Sequence, residues 1–220
     1  LKEKNKHQLR EELTHIANLI EVVSVRQKKP LGLGHAIWMA RKVVGDEPFL
    51  VLLGDDLVRS ERPCCRQMLD LYEQVGESIV AIQRVPMDQT CHYGIVEGEE
   101  TDFERAIKIN RMLEKPSPGM SNSDKAIIGR YLLTPDIFSI LGETKPGHGG
   151  EIQLTDALQT LANQQGMYAY EFEGRRYDAG DKLGYLKAIV DVAVHHPVLG
   201  KPFREHLQTV SSCECRAVHS

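Results

Sequence analysis

Two neighbouring aspartates follow an apolar run in the first third of the chain. The run Phe49 to Leu53 (FLVLL) has the composition of a strand buried on both faces of a parallel sheet, and Asp55 and Asp56 follow it directly. Ligands of open α/β sheets bind outside the carboxyl ends of the strands, where aspartate oxygens can hold Mg²⁺. An aspartate can also cap the next turn. The strand context favours a metal-binding role for one of the two.

Glycine pairs precede two of the predicted helices. Gly32 and Gly34 lie just before the helix that starts near His35, and Gly149 and Gly150 lead into the segment EIQLTDAL. Glycine lets the backbone approach a ligand closely, and free N–H groups at a helix start favour anions and polar acceptors. A tight turn uses glycine too, and helix capping explains acidic residues in the second segment. Both interpretations stay open for these strings.

Two charged strings complete the set of candidates. Glu114-Lys115-Pro116 follows a predicted strand, and a carboxylate beside an ammonium can bind sugar hydroxyls and a phosphate. Pro116 predicts extended backbone at Lys115, although the tripeptide is also a common surface turn. Asp178 precedes a glycine-containing turn into another predicted helix. It is either a second metal carboxylate or a turn residue.

The periodicity of apolar residues predicts the elements that must position these candidates. Strands are predicted at residues 21–26, 49–53, 78–83, 93–97, 106–113 and 126–133. Helices are predicted at residues 5–19, 35–44, 64–75, 135–141, 153–164, 183–196 and 201–209. The early alternation of strand and helix is typical of a doubly wound α/β sheet. We expect one domain over residues 1–205, with a β-rich insertion and a helical end, and a disordered tail over residues 206–220.

The bulk composition narrows the classes of function. The chain has 220 residues, a formal net charge of −4, 41% hydrophobic residues and 26% charged residues. These values are typical of a folded globular protein and give no reason to expect a nucleic-acid or anionic-membrane surface. No apolar run approaches the ~20 residues that span a bilayer, so we expect a cytoplasmic location.

The five cysteines do not fit a disulfide framework, because their number is odd and Cys64 and Cys65 are neighbours. Cys213, Cys215 and His219 could form half of a metal site, but zinc normally takes four ligands at regular spacing. A polar tail is the alternative interpretation of that end of the chain.

The order of the motifs along the chain carries a resemblance. They are GLGHA (32–36), LLGDD (52–56), YGIV (93–96), LEKP (113–116), IIGRYLL (127–133), GGEIQLTDAL (149–158) and YDAGDKLGY (177–185). Together they resemble the bacterial UTP–glucose-1-phosphate uridylyltransferases over almost the whole chain. The resemblance implies a Rossmann-like α/β fold of the nucleotide-diphospho-sugar transferases, with a mixed sheet flanked by helices. It also implies synthesis of UDP-glucose and pyrophosphate from UTP and glucose 1-phosphate, with Mg²⁺ as cofactor, in a homodimer or homotetramer.

The resemblance assigns nucleotide and metal roles to four residues. Gln27 matches the glutamine that recognises the uracil, and Gly32 lies in the segment that packs along the base. Asp55 matches the carboxylate that binds Mg²⁺ next to the α-phosphate. Asp178 matches the second acidic position on the metal side of the site.

The resemblance also assigns a sugar-phosphate pocket. Gly94 matches the position where a backbone amide meets the sugar, and Glu114 matches the residue that bonds the glucose hydroxyls. Lys115 matches the residue that grips the phosphate of glucose 1-phosphate, and with Asp55 it is expected to be catalytic. Gly129 and Glu151 match residues that line the sugar pocket.

The chain departs from the family pattern in two places. YDAGDK differs from the commonest form, DCGNK, at Ala179 and Asp181, which leaves the expectation for Asp178 unchanged. The GxGTR-type loop that cradles the triphosphate in this family occurs nowhere in the 220 residues. We therefore expect that the first βα unit of the fold is missing, and that residues 1–220 alone show little or no uridylyl transfer. Robust UDP-glucose synthesis by the purified chain would contradict this expectation.

Two alternatives to a uridylyltransferase remain at this point. The first is another sugar-1-phosphate nucleotidylyltransferase, such as a thymidylyltransferase, which would differ in its preferred base. The second is a non-catalytic module that binds a sugar phosphate or forms an oligomer, and the absent GxGTR string favours it.

Overall fold

The computed structural model describes residues 7–212. Its strands are β1 (Phe49–Leu52), β2 (Asp56–Arg59), β3 (Ile79–Arg84), β4 (Gly94–Glu100), β5 (Ala106–Glu114), β6 (Lys125–Leu133), β7 (Tyr168–Glu171) and β8 (Arg175–Asp178). Six of them form one sheet in the order β1-β6-β3-β7-β5-β4, and β2 pairs with β8 in a separate antiparallel ribbon. Only β3 and β7 pair in parallel among these described strands, so the sheet is mixed.

Helices cover both faces of this sheet. The α-helices are α1 (His7–Ala17), α2 (Leu33–Met39), α3 (Arg41–Val44), α4 (Cys64–Val75), α5 (Ile137–Glu143), α6 (Leu154–Gln165), α7 (Lys182–Val194) and α8 (Gly200–Ser212), with 3₁₀ helices at Met87–His92 and His148–Gly150. Apolar side chains of α2, α5 and α6 pack in one core cluster, and those of α4 pack in the other. None of the described helices is long and apolar enough to cross a membrane.

Strand β3 shows how the sequence builds the two-sided core. Ile79, Val80, Ala81 and Ile82 are each at most 1% exposed. Because successive side chains of a strand point to opposite faces, Val80 and Ile82 join the cluster under α2, α5 and α6, while Ile79 and Ala81 join the cluster under α4. Burial of each large apolar side chain contributes about 1.5–3 kcal/mol. The apolar run therefore specifies a central strand, as predicted.

The prediction for the run FLVLL was wrong in one respect. It forms a strand, but β1 is at the edge of the sheet, and its pairing with β6 is antiparallel. The side chains of β1 are only partly buried, and Leu52 is 53% exposed. An apolar run predicts burial on both faces, but the position of a strand in the sheet depends on partners distant in sequence.

The predicted strand at residues 21–26 was also wrong. This segment is irregular, and Val22, Val23 and Val25 are exposed. A strand is stabilised by hydrogen bonds to a neighbouring strand, and no described strand pairs with this segment. Its β-branched residues therefore do not by themselves make a strand.

One predicted helix and the predicted tail also need correction in their bounds. The helix predicted over residues 35–44 is divided at Ala40 into α2 and α3. The tail predicted from residue 206 is helical as far as Ser212, because α8 continues through it. The rest of that tail, with Cys213 and Cys215, lies outside the described residues.

Candidate functional site

Asp55 and Asp178, the two expected metal ligands, face the same point in space. Asp55 lies in the turn between β1 and β2, and its carbonyl oxygen accepts a hydrogen bond from the backbone N–H of Ala179 at 2.7 Å. A Cβ atom placed on Gly180 would lie 3.0 Å from Asp55 Oδ2 and 3.2 Å from Asp178 Oδ1. The two carboxylates therefore converge beside Gly180, where the lack of a side chain leaves room between them.

The donor set of this carboxylate pair suits a divalent ion. Asp178 Oδ1 accepts the backbone N–H groups of Gly180 at 3.0 Å and Asp181 at 3.2 Å, whereas no residue in the described range donates a hydrogen bond to the Asp55 carboxylate. Residues 7–212 contain no group of three His, Cys, Asp or Glu that could hold a metal. Mg²⁺ commonly takes one or two carboxylates and completes its shell with substrate and water oxygens, so the pair fits it.

Asp56 anchors the turn that carries Asp55. It is 5% exposed, its Oδ2 accepts the N–H of Gly129 at 2.6 Å, and its Oδ1 forms an ion pair with Arg176. Arg130 donates to the carbonyl oxygens of Leu53 and Asp56, which lie at the two ends of the turn. The local pattern left open which aspartate serves a metal, and the family resemblance assigned Asp55. The geometry favours Asp55, since the Asp56 carboxylate already has its partners.

Gly129 packs against the same turn. A Cβ atom there would lie 2.4 Å from Asp56 Oδ2 and 2.6 Å from Leu53 Cβ, and the Gly129 carbonyl oxygen accepts the N–H of Leu53 at 2.9 Å. Contacts with the turn thus explain the glycine. Its expected place in a sugar pocket stays a prediction.

The residues expected to bind the sugar phosphate form a second group. Gly94 of β4 is paired with Glu114 of β5 in the sheet. Thr155, in the first turn of α6, donates its hydroxyl hydrogen to Glu114 Oε2 at 2.6 Å. Lys115 Nζ is 3.9 Å from Glu114 Oε1, and its side chain is 65% exposed. This arrangement holds a carboxylate in place beside an exposed ammonium, which suits a ligand that has both hydroxyls and a phosphate.

The backbone at Lys115 contradicts the extended geometry predicted from Pro116. Lys115 has φ of 45°, in the left-handed region, and its N–H donates to the carbonyl oxygen of Tyr93 at 3.0 Å. Strand β5 ends at Glu114, and this hydrogen bond turns the chain there. A non-glycine residue in such a conformation costs about 1–3 kcal/mol, and such strain clusters at functional sites. The strained position therefore supports a functional role for Lys115.

The third group contains the expected uracil-binding residues. Gln27 Nε2 donates to the carbonyl oxygen of Gly32 at 3.2 Å and lies 2.8 Å from His35 Nδ1. Gly32 has φ of 96°, and a Cβ atom on it would lie 2.8 Å from Glu151 Cβ and 3.0 Å from the Ile152 carbonyl oxygen. A side chain at position 32 would therefore separate the α2 loop from residues 151 and 152. The structure brings Gln27, Gly32 and Glu151 together.

Arg176 and Tyr93 connect the carboxylate pair with the sugar-phosphate group. Arg176 Nη2 donates to Asp178 Oδ2 at 3.1 Å, Nη1 lies 3.5 Å from Tyr93 Oη, and the guanidinium carbon is 5.5 Å from the Tyr93 ring centre. The Tyr93 carbonyl oxygen accepts the N–H of Lys115 at 3.0 Å. A chain of direct contacts thus links the two groups.

Comparison with known proteins decides the family. The sequence profile described as Nucleotidyl transferase matches residues 1–194. The chain is 46% identical over 210 residues to the UTP–glucose-1-phosphate uridylyltransferase of Bacillus subtilis (strain 168), and the alignment covers 94% of this chain and 72% of that protein. The chain belongs to the UTP–glucose-1-phosphate uridylyltransferase family.

Solved structures named UDP-glucose pyrophosphorylase or UGPase have the same fold. A UDP-glucose pyrophosphorylase complexed with UDP-glucose is 44% identical, with a TM-score of 0.78 over 84% of this chain and 70% of that one. A UTP-bound UGPase from Acinetobacter baumannii is 35% identical, with a TM-score of 0.86 over 97% of this chain and 74% of that one. The family resemblance and the α/β fold with a mixed sheet are therefore confirmed.

Sequence reasoning missed the residues of this chain that hold the candidate ligands in place. Arg130 and Arg176 have no motif of their own, although IIGRYLL contains the first and the second precedes the string YDAGDKLGY. The sequence was interpreted as helix capping at the start of α6. The N-cap residue there is Gln153, whose side chain makes no cap hydrogen bond. Thr155 instead donates a hydrogen bond to Glu114. The available signal was the position of these residues within or directly before a motif.

Proposed function

We propose that this chain acts in the formation of UDP-glucose and pyrophosphate from UTP and glucose 1-phosphate. The observation that carries the proposal is the arrangement of two pairs of side chains, Asp55 with Asp178 and Glu114 with Lys115, linked by the contacts of Arg176 with Asp178 and with Tyr93. The first pair suits a divalent ion, and the second suits a sugar phosphate. Membership of the uridylyltransferase family supports the same reaction.

In the proposed reaction a phosphate oxygen of glucose 1-phosphate attacks the α-phosphorus of UTP in line. The new P–O bond forms as the bond from the α-phosphorus to the bridging oxygen breaks, and pyrophosphate leaves with that electron pair. Lys115 holds the attacking phosphate, and Glu114 orients the sugar through its hydroxyls, so much of the catalysis is positioning. Asp55 and Asp178 would hold Mg²⁺, which supplies positive charge beside the phosphate oxygens.

The remaining expected residues have supporting roles in this proposal. Gln27 and Gly32 recognise the uracil at the start of α2, where a side chain at position 32 would clash. Gly94, opposite Glu114 in the sheet, leaves its backbone close to the sugar. Glu151, which lies against Gly32, and Gly129, which packs on the turn that carries Asp55, would line the sugar pocket.

The first test is binding of UDP-glucose, which needs no turnover. We expect Lys115→Met to weaken UDP-glucose binding about tenfold or more, because a hydrogen bond to a charged group contributes about 1.5–3 kcal/mol. Isothermal calorimetry on the purified chain measures this. Lys42→Met, which removes an exposed lysine of α3, is the matched control and should bind normally. A folded chain that binds no UDP-glucose would contradict the proposal.

The same measurement separates the alternatives. Tighter binding of dTDP-glucose than of UDP-glucose would indicate a thymidylyltransferase. Binding of glucose 1-phosphate with no turnover in a GxGTR-bearing fusion would indicate a non-catalytic module. A preference for UDP-glucose supports the uridylyltransferase proposal.

We also propose self-association as a dimer or tetramer through α7. Leu183, Leu186, Ile189 and Val192 of this helix are large apolar side chains that are between 43% and 58% exposed. Surfaces of this kind mark interaction sites. Light scattering should show a multiple of the 24.8 kDa chain mass.

A cytoplasmic location stays a prediction.

A further inference from the structure

Arg176 is almost buried between two carboxylates. Its side chain is 10% exposed, Nε forms the ion pair with Asp56 Oδ1, and Nη2 donates to Asp178 Oδ2 at 3.1 Å. An arginine guanidinium stays protonated in proteins. Arg176 is therefore a permanent positive charge, and its ion pair with the buried Asp56 holds it in place.

This fixed guanidinium completes the restraint on Asp178. The Oδ1 atom of Asp178 is held by the N–H groups of Gly180 and Asp181, and Arg176 holds the Oδ2 atom. Each carboxylate oxygen has two lone pairs. Oδ1 uses both and Oδ2 uses one, so Oδ2 keeps a free lone pair for a metal while these bonds set the orientation of the carboxylate. In contrast, no described residue restrains the Asp55 carboxylate.

We propose that Arg176 is a positioning residue that orients the Asp178 carboxylate for metal binding. The inference rests on the proposed role of Asp178 as a metal ligand. The planar guanidinium reaches Asp56 and Asp178 with different nitrogens, which a lysine ammonium at the same position cannot reproduce. Asp56 serves as the buried fixed point of this arrangement, and its partner Gly129 holds it from β6.

A substitution that keeps the charge separates position from electrostatics. Loss of a positive charge near a cation site would by itself strengthen cation binding, so a neutral variant would mix two effects. Arg176→Lys keeps the positive charge but loses the planar guanidinium, which donates to Asp56 and Asp178 through different nitrogens. Partners of metal ligands typically contribute 10–100-fold to metal affinity, so we expect Arg176→Lys to weaken Mn²⁺ binding about tenfold.

The neighbouring arginine provides the matched control. Arg175 is on the same strand, but its side chain is 65% exposed and it pairs with Asp191 of α7 at 2.7 Å. We expect Arg175→Lys to leave Mn²⁺ affinity unchanged. Electron paramagnetic resonance of free Mn²⁺ during titration of the purified chain measures the dissociation constant for each variant.

Thermal melts of the metal-free variants distinguish positioning from a purely structural role. A structural arginine would lower the melting temperature without changing the Mn²⁺ affinity of the folded protein. If Arg176→Lys does not fold, the double variant Asp56→Asn with Arg176→Gln leaves the net charge of the site unchanged and no buried charge unpaired. The same tenfold weakening is expected for it.

Equal Mn²⁺ affinity in the wild-type chain and in a folded Arg176 variant would overturn this inference, as would a wild-type chain that binds no Mn²⁺. Either result would leave the proposed function standing if Lys115→Met still weakens UDP-glucose binding. Loss of that Lys115 effect, with weakened Mn²⁺ binding in Arg176→Lys, would instead overturn the proposed function and keep the positioning role.

Discussion

Asparagine in place of Asp55 is expected to lower the rate of UDP-glucose formation by about a hundredfold or more. The substitution keeps the size of the side chain and removes the negative charge that the proposed metal needs. A catalytic metal contributes several kcal/mol to the transition state, and each 1.4 kcal/mol changes the rate about tenfold. The fold should be unaffected, because no described residue bonds the Asp55 carboxylate.

The rate is best measured in a fusion that places a GxGTR-type loop from a relative before residues 1–220, which contain no such string. Asp181→Asn is the matched control, because it removes a neighbouring charge but keeps an N-cap acceptor for Gly184 in α7. Normal turnover in Asp55→Asn would show that another group holds the metal. A similar loss in Asp181→Asn would show that general charge, rather than Asp55, matters.

Alanine in place of Asp56 is expected to destabilise the protein by about 3–5 kcal/mol. Removal of one partner of a buried ion pair leaves the other charge uncompensated, and the cost of this is of that order. The variant would leave Arg176 with Asp178 alone and the buried N–H of Gly129 without its acceptor. In a chain of this size each kcal/mol lowers the melting temperature by about 2–4 °C, so a decrease of about 10 °C is expected.

Differential scanning calorimetry checks this decrease, with Glu73→Ala as the control. Glu73 pairs with Arg66 on the surface of α4, and the two side chains are 62% and 52% exposed. Exposed pairs contribute about 0–1 kcal/mol, so the control should melt nearly as the wild type does. A melting temperature within about 2 °C of the wild type for Asp56→Ala would mean that the ion pair contributes little net stability.

The central elements of the fold could be predicted because their sequences are locally unambiguous. The apolar runs of β3 and β6 and the helical spacing in α4 and α6 identify their elements from a few neighbouring residues. Residues 21–26 have equally favourable β-branched residues, yet they form no strand. A strand also needs a hydrogen-bonded neighbour, and a local pattern contains no information about which neighbour is present.

The candidate ligands could be predicted in type and in order but not in position. The motifs around Asp55, Glu114 and Asp178 identified the family, which the comparisons confirmed. The backbone of Lys115 was predicted wrongly, because Pro116 favours extended geometry only as a local preference. A hydrogen bond from Lys115 to Tyr93 overrides that preference where β5 ends.

The sequence by itself determined the family, the apolar centre of the sheet and the identity of the carboxylates that could hold a metal. The family resemblance had assigned the metal to Asp55, but only the tertiary structure showed that the adjacent Asp56 is buried and already paired. The reason is that the partners of Asp56 are 73 residues away at Gly129 and 120 residues away at Arg176. Two neighbouring aspartates look alike in a local pattern, and long-range pairing of β6 and β8 with the turn gives them different environments.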